Sequence, residues 1–341
     1  MLYFNDLCWK EDGKVWIPKG VPTFDWDDYK CVEELGRSGR GFSYKVQQIS
    51  TGKFFAIKKV LIYADEEDDQ DHKERIMYDM ILATSIDHPN IMKCLGVCMN
   101  QCGVHFLYNW MPGNLCNLGI IRNDESHLAQ IAYQVLKGLK YLRNGKGFEF
   151  RHGSNYLRNQ KGFVFRHLTP GNLLFDPSCS LVKIDDVGTV KDRYIYLYSL
   201  PIQSCYMKYI APENFHIEPI DDDEEQDCTL QSDRYTKSDS WSLGLCLLEF
   251  YNGTFPFDGN YTELLRYLLS GINLEYGKSE VRHCDVWPPR PPPDAPALFS
   301  DFVSSCLKLD ESQRFGVDEL LKHDFITTYC AVLSEQGDSS F

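Results

Sequence analysis

The chain has 341 residues, of which 43% are hydrophobic and 25% are charged, a composition typical of a soluble globular protein. This length suffices for two domains or for one two-lobed domain with a sizeable core. The formal net charge of -14 argues against nucleic acid or an anionic membrane surface as the main partner, because no basic surplus exists to neutralise phosphates. The sequence has no run of about 18 apolar residues, so we expect no membrane span.

The cysteines indicate the redox environment of the protein. There are thirteen of them, and most lie inside apolar runs, as Cys246 and Cys306 do. A reduced cysteine behaves in such a run as a small hydrophobic residue. The pattern predicts a reducing compartment, and we expect a cytoplasmic location with the nucleus as the alternative.

The first predicted elements are strands, and they follow a polar leader over residues 1–27. Helical spacing interrupts them once, around residues 76–81. The strand-like runs cover residues 29–35, 42–49, 54–60, 92–98 and 104–108, and they are separated by Gly-, Ser- and Pro-containing turns.

The rest of the chain has mainly helical periodicity. Apolar residues recur at the helix period over residues 128–139, 241–250, 264–269 and 298–307. Because strands come first and helices later, the sequence predicts an α+β chain of two segregated lobes.

A short internal near-repeat interrupts the helical part. Residues 141–152 and 156–167 are near-copies of each other. Two short copies are too few for a solenoid, which needs at least three repeats of about 20 residues or more. A local tandem duplication explains them better, and it predicts an inserted surface loop at about residues 141–155.

A series of short motifs follows in a fixed order along the chain. The first is a glycine-rich run, and the second is a short strand-like motif that ends in a lysine. Glycines in the first motif allow another molecule to approach the backbone closely. The motifs are Leu35–Gly41, Ala56–Lys58, Asn109–Gly113, Val164–Leu174, Lys183–Gly188, Ala211–Glu213 and Asp239–Gly244.

In this order the motifs resemble a eukaryotic protein kinase, most closely the MAP kinase kinases, over roughly residues 29–325. The resemblance implies an α+β, two-lobed protein kinase fold with a small β-rich N-lobe and a larger helical C-lobe. The implied kinase-like domain covers residues 28–326, with the N-lobe at about 28–109 and the C-lobe at about 112–326. Residues 1–27 then form an N-terminal leader and residues 327–341 a C-terminal tail.

The resemblance implies ATP and Mg²⁺ as cofactors. The glycine-rich loop would cover the phosphates, with Ser38 replacing its second glycine. Lys58 would contact the phosphates and pair with a carboxylate on the next helix, which the spacing assigns to Asp79 where the family has Glu. The implied nucleotide-binding residues are Gly36, Gly41, Ala56, Lys58, Asn109 and Met111, and the implied metal ligands are Asn172 and Asp186.

The resemblance also pairs Glu213 with Arg314, and it reveals a departure in the catalytic loop. His167 stands where the family has the Asp that accepts the substrate proton. Thr169 replaces the lysine that steadies the γ-phosphate. A neutral histidine can accept a proton, whereas a protonated one offers only donors. His167 is therefore either a substitute catalytic base or a loop residue without a chemical role.

Three functions fit this pattern. The preferred one is a pseudokinase-like signalling protein that binds Mg-ATP, transfers phosphate weakly or not at all, and acts through a partner kinase or scaffold. The second is an active protein kinase of the MAP kinase kinase type, which transfers the γ-phosphate to Ser, Thr or Tyr of a protein substrate. The third is a structural relic whose insertion unseats the catalytic loop. All partners implied are proteins, and we expect neither nucleic acid nor membrane.

Overall fold

The computed structural model describes residues 17–38, 41–61, 70–100, 103–114, 124–144, 168–176, 178, 180–187, 208–215, 237–256 and 288–337. The chain divides into two compact units. The first unit contains Met1–Pro112, Gly145–Gln160 and Phe175–Tyr198. The second contains Gly113–Asn144, Lys161–Leu174 and Ser199–Phe341.

The first unit contains a five-stranded antiparallel sheet and a helix. The sheet has the order β1-β2-β3-β5-β4, so that β3 lies at its centre. Its elements are β1 (Tyr29–Ser38), β2 (Gly41–Gln48), β3 (Phe54–Val60), β4 (Cys94–Asn100) and β5 (Gly103–Asn109), with helix α1 (Gln70–Ser85) between β3 and β4. The predicted strands are confirmed, and so is the helix between the third and the fourth.

The register of the sheet places Lys58 on the face opposite an apolar cluster. Ile57 pairs directly with Leu107, and both side chains are buried in a cluster with Val46. Side chains alternate along a strand, whereas directly paired residues share a face. Ala56 pairs with Tyr108, so Ala56, Tyr108 and Lys58, two residues on from Ala56, lie on the opposite face.

A segment before β1 covers the edge of the sheet. Its backbone pairs with β4, because Phe24 N–H donates to Val97 O at 3.2 Å and Val97 N–H donates to Pro22 O at 2.8 Å. A 3-10 turn, Trp26–Asp28, follows and places the Trp26 ring 4.8 Å from the ring of His105, with the two planes tilted by 56°. Within the described residues, the leader therefore has structure that its sequence does not predict. A single backbone bridge and one turn do not require the alternation of apolar and polar residues by which a strand is recognised.

The buried ring of His105 makes stability depend on pH. Its Nδ1 is buried and makes no hydrogen bond within the described residues, and burial, with the nearby Lys59, lowers the pKa of His105 to about 4. As pH falls from about 6.5 towards 4, the unfolded chain therefore binds a proton that the folded chain does not, and folding stability decreases. We expect His105→Phe to remove this part of the stability loss.

The measurement is the melting temperature of the natural protein and of His105→Phe at pH 7.5 and pH 5. The variant is expected to lose less stability between these two conditions. His127→Phe, at a partly exposed histidine on a helix, is the control and should behave as the natural protein does. A parallel decrease in all three proteins would contradict the role of His105.

The second unit is mainly helical, as the periodicity predicts. The helices are α2 (Glu125–Asn144), α3 (Ser238–Asn252), α4 (Ala297–Cys306), α5 (Val317–Leu320) and α6 (Asp324–Gly337). The predicted helical stretch at 264–269 lies outside the described residues. Of the surface loop predicted at about 141–155, residues 141–144 instead continue the helical periodicity and belong to α2, and the rest lies outside the described residues. Helix α6 continues past residue 326 to Gly337, within the stretch that the sequence assigns to a tail. No helix in the described part is both long and apolar enough to cross a membrane.

Helices α3 and α4 approach each other closely at a glycine. A Cβ built on Gly244 would lie 2.7 Å from the Cβ of Cys306 and 3.0 Å from side-chain atoms of Leu307. Real Cβ atoms essentially never come that close, so only glycine fits without movement of the neighbouring chain. The close packing explains why a glycine occupies the middle of a buried helix.

A buried ion pair connects two distant segments of the second unit. Both guanidinium ends of Arg314 contact the carboxylate of Glu213, at 2.6 and 2.9 Å. Nε donates to Lys308 O at 3.0 Å, and the guanidinium lies over the Trp241 ring. The Arg314 side chain is 0% exposed. The predicted pair of Glu213 and Arg314 is therefore confirmed, in a bidentate geometry in which Arg314 is fully buried and Glu213 is largely buried.

Breaking this pair should destabilise the fold strongly. Arg314→Met would leave the Glu213 carboxylate without its cation, and breaking a buried ion pair costs about 3–5 kcal/mol. Lys93→Met provides a matched control, because Lys93 and Asp87 form a pair at 2.8 Å with side chains 47% and 74% exposed. Exposed pairs contribute about 0–1 kcal/mol. Urea unfolding measures both free energies, and equal losses in the two variants would contradict the prediction.

Candidate functional site

The candidate site in the first unit begins at a short strand, β8 (Val182–Ile184), which follows β6 (Gly113–Asn114) and β7 (Leu173–Phe175) in the chain. The backbone of Ile184 exchanges two hydrogen bonds of 2.8 Å with the turn before β4, donating to Asn90 O and accepting from Met92 N. The Asn90 side chain donates to Val182 O at 3.0 Å. These bonds fix the backbone at the point where two aspartates follow the strand.

Lys58 and these two aspartates form a charged cluster. The Lys58 Nζ atom lies 2.8 Å from Asp185 Oδ2 and 3.5 Å from Asp186 Oδ1. The three side chains are only 18%, 12% and 18% exposed. Lys58 comes from β3 and the aspartates follow β8, so the cluster connects two parts of the first unit.

The cluster keeps Lys58 charged. Burial by itself would lower the pKa of Lys58, but Asp185 and Asp186 outweigh this effect and raise the pKa above its usual value. The Tyr108 ring lies 5.6 Å from the same ammonium. Burial, Cys94 and the carboxylates of Asp185, Asp186 and Asp79 raise the pKa of Tyr108 well above its usual value, so the phenol stays neutral.

Asp186 has an unusual backbone conformation. Its φ is 64°, and it is the one residue other than glycine with positive φ in the part of the chain that the structure describes. Such a conformation costs about 1–3 kcal/mol and is found most often at functional sites. The strain fits a carboxylate whose position matters for binding.

Asp79 lies on α1, where the sequence places the partner of Lys58. Its carboxylate is near enough to Tyr108 to contribute to the raised pKa of the phenol. Two carboxylates that follow β8, those of Asp185 and Asp186, form ion pairs with Lys58. The catalytic role of Asp79 stays a prediction.

The two glycines of the predicted phosphate loop differ in their surroundings. At Gly41, a Cβ would lie 2.1 Å from the carbonyl oxygen of Lys59, so the packing of β2 against β3 itself requires glycine. At Gly36, a Cβ would meet nothing within 4 Å. Neither packing nor positive φ explains Gly36, so the close approach of a ligand is the better reason for a glycine there.

The other predicted nucleotide-binding residues lie on β3 and at the end of β5. Ala56 pairs with Tyr108 on the face that carries Lys58, and Asn109 is the last residue of β5. Met111 follows two residues later and is half-buried. Beside them, the ammonium of Lys45 lies 4.6 Å from the ring centre of Trp110.

The remaining predicted site residues belong to other parts of the chain. Asn172 ends a 3-10 turn, Pro170–Asn172, in the second unit, and Thr169 occupies the N-cap position of that turn without a side-chain hydrogen bond to it. His167 lies outside the described residues. Asp185 and Tyr108 are absent from the sequence-based assignment. The doubled aspartate was visible in the sequence, but only the fold places its first member against Lys58.

Residues 29–326 match the protein kinase domain family, and the chain therefore belongs to this family. Mitogen-activated protein kinase kinase 9 of Arabidopsis thaliana is 30% identical over 306 residues, which cover 88% of this chain and 84% of the relative. Mitogen-activated protein kinase kinase 7 of the same plant is 28% identical, with 88% and 85% covered. Mitogen-activated protein kinase kinase SIPKK of Nicotiana tabacum is 26% identical, with 89% and 74% covered.

These similarities confirm the resemblance and the fold predicted from the motifs. The chain has a two-lobed α+β kinase fold, and it is a kinase-like signalling protein whose relatives include MAP kinase kinases.

Removing the ammonium from the charged cluster should destabilise the first unit. Lys58→Met leaves the buried carboxylate of Asp185 without its cation, and this costs about 3–5 kcal/mol when a pair is fully buried. Because the three side chains keep some exposure, we expect the lower end of this range. Lys58→Met combined with Asp185→Leu should recover most of the loss. Urea unfolding is the measurement, and a double variant no more stable than Lys58→Met would contradict the pairing.

Proposed function

We propose that the chain is a protein kinase-like signalling protein that binds Mg-ATP, transfers phosphate weakly or not at all, and acts by binding a partner protein. The observation that carries this proposal is the charged cluster of Lys58, Asp185 and Asp186. It retains the charges that a nucleotide and a metal ion need, whereas the sequence has lost the catalytic aspartate at His167.

The residues of the first unit suit a magnesium nucleotide. Two carboxylates and one ammonium leave an excess negative charge in the cluster, which favours a divalent cation. Asp185 Oδ1 is buried and has no hydrogen-bond partner within the described residues. Lys58 would bind phosphate oxygens and Asp186 the metal, while the backbone at Gly36 leaves room for the phosphates. Bound Mg²⁺ neutralises the charge that the phosphates carry.

The substitutions in the catalytic loop weaken the acceptor side of the reaction. A positioned acid–base group contributes about 10²–10⁴-fold to a rate. A neutral His167 could accept a proton but brings no negative charge, and a protonated one could not act as a base. Thr169 also lacks the positive charge of the lysine that it replaces. These two substitutions support weakened phosphate transfer more than a complete absence of transfer.

An active enzyme of the MAP kinase kinase type is the second candidate. The buried pair of Glu213 and Arg314 favours it, because this pair needs a well-formed fold around the segment that follows the catalytic loop. Lys58, Asn172 and Asp186 are retained as well. In this alternative, His167 or a neighbouring residue would serve as the base for transfer to a protein substrate.

The partner would be a protein in either case, either a substrate or a partner kinase or scaffold. Three similar proteins are named mitogen-activated protein kinase kinases, which supports a place in a kinase cascade. The net charge of -14 supports protein over nucleic acid as the partner. We propose a cytoplasmic location, with the nucleus as the alternative.

The test of transfer uses labelled Mg-ATP with the natural protein, His167→Asp and Lys58→Met. We expect no label or little label on the natural protein, because the general base is missing, and more label on His167→Asp. Strong labelling of the natural protein that Lys58→Met abolishes would instead identify an active kinase.

The test of binding is the melting temperature with and without Mg-ATP. A ligand at 100 times its Kd stabilises the folded state by about 2.7 kcal/mol. We expect a clear increase for the natural protein and for His167→Asp, and none for Lys58→Met. The absence of any increase in the natural protein would reject nucleotide binding and support the structural relic.

A further inference from the structure

The side chain of Lys45, on β2, lies between two aromatic rings. Its ammonium is 4.9 Å from the ring centre of Phe54 on β3 and 4.6 Å from that of Trp110, which follows β5. Both distances are within the range of about 6 Å over which a cation is attracted to the face of a ring. These three side chains form a clamp, in which one cation connects β2 and β3 to the residue directly after β5.

The clamp lies on the face of the sheet that carries Lys58. Lys45 pairs directly with Ala56, and directly paired residues share a face. Phe54 and Lys58 are two residues before and two residues after Ala56 on the same strand, so the alternation of side chains places them on this face as well. The clamp therefore adjoins Ala56, one of the residues assigned to the nucleotide.

Trp110 lies where the ladder of the sheet no longer holds the chain. The pairing of β3 with β5 ends at Phe55 and Asn109. Trp110 is between Asn109 and Met111, and the proposed function assigns both of these neighbours to the nucleotide. Because the phosphates and the metal are assigned elsewhere, these two residues would contact the nucleoside part. A side chain held at residue 110 restricts the backbone on both sides of it.

We propose that Lys45 is a positioning residue for the nucleoside part of the nucleotide, because its clamp holds Trp110 against the sheet and thereby fixes the backbone of Asn109 and Met111. This inference rests on the proposed binding of Mg-ATP. A site whose binding-competent conformation is only partly populated binds its ligand more weakly by that fraction. Fixing the segment before the ligand arrives therefore increases the affinity without any contact between Lys45 and the nucleotide.

Glu33 is the carboxylate that competes with the rings for Lys45. It stands opposite Lys45 in the ladder of β1 with β2, and it is exposed. An exposed ion pair fixes a side chain only weakly, because solvent and salt screen it. Lys45 and Trp110 are both half-buried, and the attraction of a cation to a ring is stronger there than at an exposed site. The rings are therefore the better explanation of how Lys45 acts.

The first measurement is amide hydrogen exchange over residues 109–111 in the absence of nucleotide. Lys45→Met removes the cation but keeps a long side chain, and we expect exchange in this segment to become about fivefold faster. Lys45→Arg should exchange as the natural protein does, because a guanidinium also stacks on rings. Lys53→Met makes the same change at an exposed lysine and should have no effect. Unchanged exchange in Lys45→Met would overturn the proposal.

The second measurement is the Kd of adenosine and of Mg-ATP by calorimetry. For Lys45→Met we expect both Kd values to increase by the same factor, about fivefold. The Mg²⁺ concentration at half-maximal ATP binding should stay the same, because the clamp acts on the nucleoside part. Lys45→Arg should retain the natural affinities. A loss of affinity for ATP alone would mean that Lys45 binds the phosphates directly, and this would overturn the positioning role.

Two further variants identify what holds the ammonium. Phe54→Leu removes the ring that is 44% exposed, and it should weaken adenosine binding by a smaller factor than Lys45→Met. Combined with Lys45→Met, it should cause no additional loss, since the clamp is already broken. Additive losses would contradict the clamp. Glu33→Gln should bind adenosine as the natural protein does, and a loss as large as that of Lys45→Met would assign Lys45 to an ion pair instead of the rings.

The outcomes distinguish this inference from the proposed function. If the natural protein binds neither adenosine nor Mg-ATP, the proposed function is rejected, and the nucleoside role of Lys45 with it. If it binds both and Lys45→Met leaves both affinities unchanged, the proposed function stands and only the positioning role is rejected. Should Lys45→Met fail to fold, Phe54→Leu tests the same dependence, and natural exchange together with natural adenosine affinity in that variant would overturn the role.

Discussion

The ion cluster around Lys58 is the constraint on which the functional face of the first unit depends. The ammonium extends from the central strand of the sheet, and the two carboxylates follow a short strand that is tied to the turn before β4. Tyr108 closes the same region from β5 and stays neutral because it is buried among carboxylates. Without the ammonium, this enclosed region would hold several acidic groups and no cation, so one lysine makes the whole arrangement possible.

The Arg314 pair and the Lys58 cluster, both among the described residues, differ in how completely their polar atoms are satisfied. Arg314 and Glu213 form a closed system in which each guanidinium end and both carboxylate oxygens have partners. The cluster around Lys58 keeps an unsatisfied oxygen on Asp185 and a strained backbone at Asp186. Buried polar groups are normally satisfied, and exceptions require an explanation. The first pair therefore explains how the fold is held, whereas the second agrees with the proposal that a ligand binds beside Lys58.

The sequence predicts the strands and helices better than it predicts which side chains contact each other. The strands and helices follow from periodicity, and the ordered motifs identify Lys58, Asp186 and the pair of Glu213 with Arg314. Asp185 is not predicted as a partner of Lys58, because spacing along the chain assigns that partner to α1, and only the three-dimensional structure brings Asp185 to 2.8 Å from the ammonium. The segment that pairs with β4 was also missed, since one bridge at Val97 has no periodic pattern.

In the proposed function, nucleotide binding and proton transfer would depend on different parts of this chain, so their free energies would be separable. The groups that would bind phosphate and one metal ligand lie in the first unit, whereas the position of the catalytic base belongs to the second. Losing a general base raises the barrier of one chemical step by the equivalent of about 10²–10⁴-fold in rate, but it removes no contact to the nucleotide. A protein with His167 at this position can therefore keep a nucleotide-dependent conformation after losing transfer. A bound nucleotide can shift an equilibrium between two conformations of the protein only by the difference in its affinity for them. A signalling role without catalysis would therefore require at least an intact charged cluster to bind the nucleotide.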